Sequence, residues 1–231
     1  MNSAIKNLVL ASAVLVSATS TLTASAFERP KSNFIVQQLS SNPEFTQNSS
    51  QDLLLRADDH GTAYLYVEQQ QGALLTVFDV TDPQHIKLTA AVPTEARGAF
   101  DFVTPVGETS ELVAFRDGSG NAVLDLHRAK APRLSKVDGA ANPDELLGHA
   151  GYLTSSLTQV EPVAPQPRDV ELVETKGTPR TIATVANVTR QINRGETGTV
   201  FLLGNGKVTV IRRIDAERQY AIDQELKRNL N

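Results

Sequence analysis

The residues of this chain with the most obvious chemical potential are few and scattered. Asp58-Asp59-His60 sets two carboxylates beside an imidazole, a donor set that could hold a metal ion. Successive residues on a strand point to opposite faces, and Gly61 follows at once, so the group reads as a polar hairpin corner. His85, His127 and His149 stand singly, with no His-x-His or H-E-x-x-H spacing, and read as turn or surface residues. Ser119 is flanked by Gly118 and Gly120 but lacks the G-x-S-x-G elbow that would present a nucleophile. Gly204-Asn205-Gly206-Lys207 lacks the spacing of a phosphate-binding loop and leads into a strand-like run. Arg212-Arg213 reads as a solvated basic pair. Cysteine is absent, which removes thiol catalysis, disulfides, thiolate-bound zinc and iron–sulfur clusters together. The sequence therefore assigns no catalytic residue, no metal ligand and no cofactor.

The elements that would have to position such residues are strands. From Asp52 onward the apolar residues fall in short β-rich runs separated by turn chemistry. Leu53 to Leu55, Ala63 to Val67, Leu74 to Val80 and Ile86 to Val92 form one antiparallel meander, with corners at Asp58 to Gly61, Glu68 to Gly72 and Thr81 to Pro83. Gly98 to Thr104, Glu111 to Phe115, Ala122 to Leu126 and Arg133 to Val137 repeat the order, with Asp79 and Asp125 at equivalent places. A third unit is drawn through Leu146 to His149, Tyr152 to Ser155, Val170 to Glu174 and Thr181 to Val185, interrupted by the Pro-rich Glu161 to Pro167. A fourth runs through Val188 to Ile192, Thr199 to Leu203 and Lys207 to Ile211, with Asn205-Gly206 as a hairpin turn. It is one strand short. Asn33 to Leu39 is the spare strand-like segment, and pairing it with Lys207 to Ile211 would supply the missing strand and close a ring. A repeat near 40 to 50 residues is the period of propellers and arrays. The expected fold is all-β: a small propeller-like array of about four antiparallel four-stranded units over residues 52–213. An N-terminal strand and linker precede it at 27–51. A short amphipathic helix follows at 214–231, with Asp215 as N-cap, an Asp223–Lys227 pair and a stripe of Tyr220, Ile222, Leu226 and Leu230.

Ala63 to Leu88, AYLYVEQQQGALLTVFDVTDPQHIKL, resembles the LVIVD-type repeat of bacterial surface and envelope β-propellers. The resemblance is carried by Tyr64 to Val67 and by Val77 to Pro83 (VFDVTDP), and it weakens in the second unit, where Leu126-His127-Arg128 replaces the turn pattern. It implies an envelope propeller and no common reaction or ligand.

If the fold is a propeller, the first strand of each unit lines the centre, and polar residues converge there. These are Arg56, Asp101, His149 and Arg190. Such a mixed-charge ring could hold a small anion or satisfy itself by ion pairing.

The start of the chain speaks to compartment. Lys6 lies in a short polar segment, Leu8 to Val16 is apolar and uncharged, and Ala24-Ser25-Ala26 ends a run of small residues. That order is what a signal peptidase reads, so residues 1–26 are expected to be a signal peptide cleaved before Phe27. The apolar run is too short for a bilayer span of roughly 20 residues, and none follows it. Removal of Lys6 leaves 21 basic against 26 acidic residues, a net of -5, which argues against a nucleic-acid surface. A periplasmic or secreted protein is expected, with an envelope protein or a small ligand as partner. Three roles remain open: a non-catalytic binding or scaffold protein, an envelope hydrolase or lyase using channel residues, and an assembly subunit docking through the C-terminal helix. A deep pocket joining Asp101 and His149 would favour the second, and an exposed apolar stripe on the helix the third.

Overall fold

Leu53, Ala63, Leu65 and Val67 lie on one face of adjacent strands, and Tyr64 and Tyr66 are buried on the opposite face, so the strand Ala63–Gln69 is covered on both sides. The computed structural model describes residues 32–39, 52–96, 98–137, 143–146, 152–154, 166–175 and 179–230. The expected signal peptide, linker and His149 lie outside them. Among the described residues there are fifteen strands and one helix: β1 (Phe34–Gln38), β2 (Asp52–Ala57), β3 (Ala63–Gln69), β4 (Leu74–Asp79), β5 (Lys87–Pro93), β6 (Phe100–Val106), β7 (Ser110–Phe115), β8 (Asn121–Asp125), β9 (Arg133–Val137), β10 (Pro143–Leu146), β11 (Tyr152–Thr154), β12 (Arg168–Glu174), β13 (Arg180–Arg194), β14 (Thr199–Gly204), β15 (Lys207–Arg213) and α1 (Ile214–Leu230). The fold is mostly antiparallel β with one C-terminal helix.

The first two meanders are as the sequence pattern predicts. β2-β3-β4-β5 and β6-β7-β8-β9 are four-stranded antiparallel sheets in sequence order. Their third strands end in the same device. Asp79 accepts the Thr81 backbone N–H at 3.0 Å, and Asp125 accepts that of His127 at 2.8 Å. A carboxylate bonding two residues ahead sets the turn whether or not the Asp-Pro pair follows it.

The last sheet corrects the sequence reading. Val170 to Glu174 and Thr181 to Val185 do not complete a third four-stranded unit. They form β12 and the first half of β13, and they belong to a five-stranded sheet of order β1-β15-β14-β13-β12. The third unit is represented among the described residues by the two-stranded β10–β11 pair. β13 is continuous through fifteen residues but changes partner near its middle. Its first half pairs with β12, and from Val188 it pairs with β14. Asn187 sits at the change with φ of 53°, a left-handed conformation that asparagine tolerates. Both ladders shift register there.

β1 pairs antiparallel with β15, Phe34 opposite Arg213 and Gln38 opposite Thr209, so the spare strand lies where its sequence places it. Asn205 and Gly206 both take positive φ, 50° and 70°, as a two-residue β14–β15 hairpin requires.

Two cores hold the sheets together. Leu53, Leu65, Phe78 and Val80 of the first sheet pack with Phe201, Leu203, Val208 and Val210 of the last. On its other face the first sheet gives Tyr64, Tyr66, Leu75 and Val77 to a cluster with Phe100, Val113, Phe115 and Leu124 of the second. Each large apolar side chain buried this way stabilises the fold by about 1.5–3 kcal/mol.

At the start of α1 the Asp215 carboxylate accepts the Ala216 N–H at 2.7 Å, and the Asp215 N–H in turn donates to Asn33 Oδ1 at 3.2 Å, so Asn33, just before β1, shares the capping of the first turn with Asp215. Asp223 accepts from Gln219 Nε2 at 2.9 Å. The first turns are anchored by a bidentate pair, Arg212 Nε and Nη2 to the two Glu217 oxygens, each at 2.7 Å and buried.

Candidate functional site

The sheets meet through β2, β6 and the second half of β13. Within β2, Asp52, Leu54 and Arg56 share one face because strand side chains alternate, and Leu54 joins the cluster shared with the second sheet. Asp52 and Arg56 are therefore aimed at that second sheet, while Leu53 and Leu55 serve the core shared with the last one.

At one end of this junction lies a four-residue ionic chain. Arg190 Nε donates to Asp52 Oδ1 at 2.6 Å, and Arg190 Nη2 donates to Asp101 Oδ1 at 2.7 Å. Arg116 adds Nε and Nη2 to the same Asp101 oxygen at 3.1 and 2.6 Å. Asp52 is further held by the Leu53 N–H at 2.9 Å on Oδ1 and by the Phe102 N–H at 2.8 Å on Oδ2. One guanidinium thus joins β2, β6 and β13. A second pair lies along the same seam: Arg56 Nη2 reaches Glu111 Oε2 at 2.8 Å and the Ser110 carbonyl at 3.4 Å. Burial pushes the Asp52 carboxyl above its ordinary value, opposed by Arg190. Burial likewise raises Glu111, opposed by Arg56. The Tyr66 hydroxyl is raised far above the ordinary tyrosine range, again by burial.

Of the residues singled out from sequence, Arg190 and Asp101 are in direct contact. Arg56 belongs to the neighbouring Glu111 pair, and His149 is outside the described residues. The reading missed Asp52, Glu111 and Arg116. Asp52 was legible as the residue before Leu53, but setting the strand to begin at its first apolar residue left it out. Arg116 follows β7 in a turn, where first-strand reasoning does not look. Arg194 was also missed. It is buried, donates Nη1 to the Val80 and Thr81 carbonyls at 2.5 and 2.8 Å, and lies 5.6 Å from the Tyr220 ring centre. It couples the first sheet, β13 and α1.

Chemically, this arrangement neutralises itself. Asp52 has both oxygens engaged by three N–H donors, and Asp101 receives two guanidinium groups on one oxygen. Neither is placed as a free base. The Asp58-Asp59-His60 cluster is a corner: Asp58 Oδ1 accepts the His60 and Thr62 N–H groups at 3.0 and 2.8 Å. It borders an open depression of about 570 Å³ shared with His127 and Arg128. Among the described residues no group of three or more His, Asp or Glu side chains is arranged to hold a metal ion. No protein-family model, curated protein or solved structure matches the chain.

Proposed function

We propose that this chain is an exported, non-catalytic scaffold subunit of propeller type that docks onto a protein partner of the cell envelope through α1. The observation that carries this reading is the state of the helix. From Ala221 to Leu230 every residue except Gln224 is exposed, and Ile222, Leu226 and Leu230 are 45%, 57% and 85% accessible. These three recur every fourth residue and so lie along one side of the helix. An isolated helix of ten residues is marginal in water, and an apolar stripe on one is a partner surface in the helix-in-groove mode. Its four acids and three bases suit a protein groove better than an anionic bilayer, which attracts strongly basic helices. Among the described residues no helix is long and apolar enough to cross a membrane.

The propeller part of the reading is supported by the repeated meander and by the convergence of three inner strands on Arg190. The resemblance of Ala63 to Leu88 to LVIVD-type repeats adds to it. Export is supported by the basic, apolar and Ala-x-Ala order of residues 1–26. The non-catalytic part rests on the engagement of both Asp52 oxygens and on the two guanidinium groups that Asp101 holds.

The test compares the native chain with an Ile222→Asp/Leu226→Asp variant in the envelope fraction. A complex of defined stoichiometry should be cross-linked with the native chain and absent with the variant. The melting temperature should not fall, because the stripe supports nothing within the monomer. A native chain that stays monomeric at its natural abundance, or a variant that melts lower, would overturn the docking role.

A further inference from the structure

The hairpin β12–β13 does not lie in the plane of the sheet it belongs to. At one end Asn187 donates Nδ2 to Asn205 Oδ1 at 3.0 Å, and its backbone N–H reaches Asp169 Oδ1 at 2.9 Å. A Cβ on Gly204 would stand 2.5 Å from the Ala186 carbonyl oxygen, so the close passage of the two chains there requires glycine. At the other end Glu174 accepts the Ser32 hydroxyl at 3.1 Å and the Asn33 N–H at 3.2 Å, although β1 and β12 are opposite edges of the sheet. Arg180 clamps the same carboxylate from across the hairpin at 2.7 Å. The hairpin is therefore folded back over one face of β14, β15 and β1. Its Val170, Leu172 and Val185 pack with Leu202, Ile211 and Phe34.

The fold-back leaves a strand edge open. Between Arg180 and Ala186, β13 pairs with β12 on one side and, among the described residues, with no strand on the other. In a strand paired on one side, alternate residues turn their N–H and C=O groups outward, and an edge of this kind is a template for another strand. The open edge faces a groove of about 320 Å³, bounded across the way by Val36 and Gln38 of β1 and floored by Thr209. Val36 is 38% exposed there. The described residues lining the groove include one charged side chain, Lys207, and no carboxylate, in a chain whose net charge is negative. Pinning at both ends holds edge and floor in place before anything binds, which lowers the ordering cost of binding.

We infer that this groove receives an extended peptide segment of another protein, added as a third strand to the β13 edge with a carboxylate beside Lys207. The main chain of the guest bonds to the outward N–H and C=O groups between Thr181 and Ala186. Alternate side chains of the guest settle on Val36 and Thr209, for which small β-branched residues fit. This is strand addition, a mode in which the backbone provides affinity and alternate side chains provide selectivity. It concerns a surface separate from the α1 stripe.

The test uses the chain as recovered from cells and three acetylated, amidated peptides: TVTEVT, TVTKVT and the proline-interrupted TVPEVT. Hydrogen exchange read by NMR follows the amides from Thr181 to Ala186. In the free protein the outward amides should exchange rapidly, and TVTEVT should slow them at least tenfold. Lys207→Glu should weaken TVTEVT at least tenfold and reverse the preference toward TVTKVT, while TVPEVT should protect nothing. Equal protection by TVPEVT, or none by TVTEVT, overturns the inference. So does protection already present without peptide: at all concentrations it means another stretch of the chain fills the edge, and rising with concentration it means a second copy does. The Ile222→Asp/Leu226→Asp variant should bind TVTEVT unchanged, so that failure of α1 docking and failure of this site are read separately.

Discussion

Removal of the Arg190 guanidinium tests whether its two ion pairs hold β2, β6 and β13 together. Arg190→Met keeps most of the side chain's length and apolar stem but takes away the donors to Asp52 and Asp101. The Asp52 side chain is 3% exposed and that of Arg190 28%. Stranding one partner of a fully buried pair costs about 3–5 kcal/mol, and the partial exposure of Arg190 lowers the expectation to about 2–4 kcal/mol. For a domain of this size that is a fall in melting temperature of about 6–12 °C. The sign of the pH dependence follows from Asp52. Burial already raises its folded-state pKa, so the folded protein holds this proton more tightly than the unfolded chain does. That contribution to stability is present at low pH and is lost as pH rises through the raised folded value. Without Arg190 the folded value rises further, so the cost of the substitution should be full at pH 7 and shrink on acidification. Urea unfolding at pH 7 and near pH 4.5, with equal m-values for the two proteins, measures it. Arg213→Met, which removes the exposed Arg213–Asp215 pair, is the control and should leave the midpoint unchanged. A loss at pH 7 no larger than that of the control, or one that grows on acidification, would refute the reasoning.

Two further substitutions and a deletion follow from the same geometry, and a cleavage from the sequence. Gly72→Ala should cost about 2–3 kcal/mol, because Gly72 has φ of 86° and a Cβ there would run into the Gly98 carbonyl oxygen; a neutral result in urea unfolding would contradict it. Glu217→Gln should cost about 2–3 kcal/mol and make α1 cleavable by protease, whereas the Arg212→Met/Glu217→Met double variant should recover most of the loss. Deleting residues 33–39 should remove the β15 partner, the α1 cap and the Glu174 anchor together, giving a less soluble protein with a broadened or lower thermal transition; an unchanged melt would show that β1 is dispensable. The natively expressed chain should begin at Phe27 on N-terminal sequencing, and recovery of intact Met1 would reject the export reading.

How much of this was legible in the sequence depends on how local the governing contacts are. The first two meanders could be drawn to within about two residues because their strands pair with sequence neighbours and their turns are set within two residues by Asp79 and Asp125. β1 could be matched to β15 across the chain because one unit was short by one strand and one segment was spare. The β12–β13 hairpin could not be placed. Its strand character is plain in alternating Val170, Leu172, Thr181 and Val185, but its position depends on a left-handed Asn187, on Gly204 admitting the Ala186 carbonyl and on Glu174 meeting Ser32. None of these has a period. Helix capping was legible only in its local half: Asp215 accepts the Ala216 N–H, while the second cap oxygen comes from Asn33, 182 residues away.

The ionic junction shows why the composition of the strands that meet there does not reveal chemistry by itself. Arg56, Asp101, His149 and Arg190 are the residues that the sequence brings to the first strand of each unit, and that set is compatible with an anion site or with internal pairing. What decides between these is the number of donors each carboxylate receives, and that is a property of three strands meeting. Asp52 receives Leu53, Phe102 and Arg190 from β2, β6 and β13 in turn. A carboxylate held from three elements is costly to release and has little left to offer a ligand, but it fixes the relative position of those elements. The surfaces with unspent capacity lie elsewhere, on the bare stripe of α1 and on the open edge of β13. Both are at the C-terminal third of the chain, where the repeat pattern is weakest and the meander gives way to a folded-back hairpin and a projecting helix. The regular strands spend their hydrogen bonds and apolar faces on one another, whereas among the described residues the first half of β13 and the stripe of α1 leave theirs exposed, and it is on these that the two proposed partner surfaces rest.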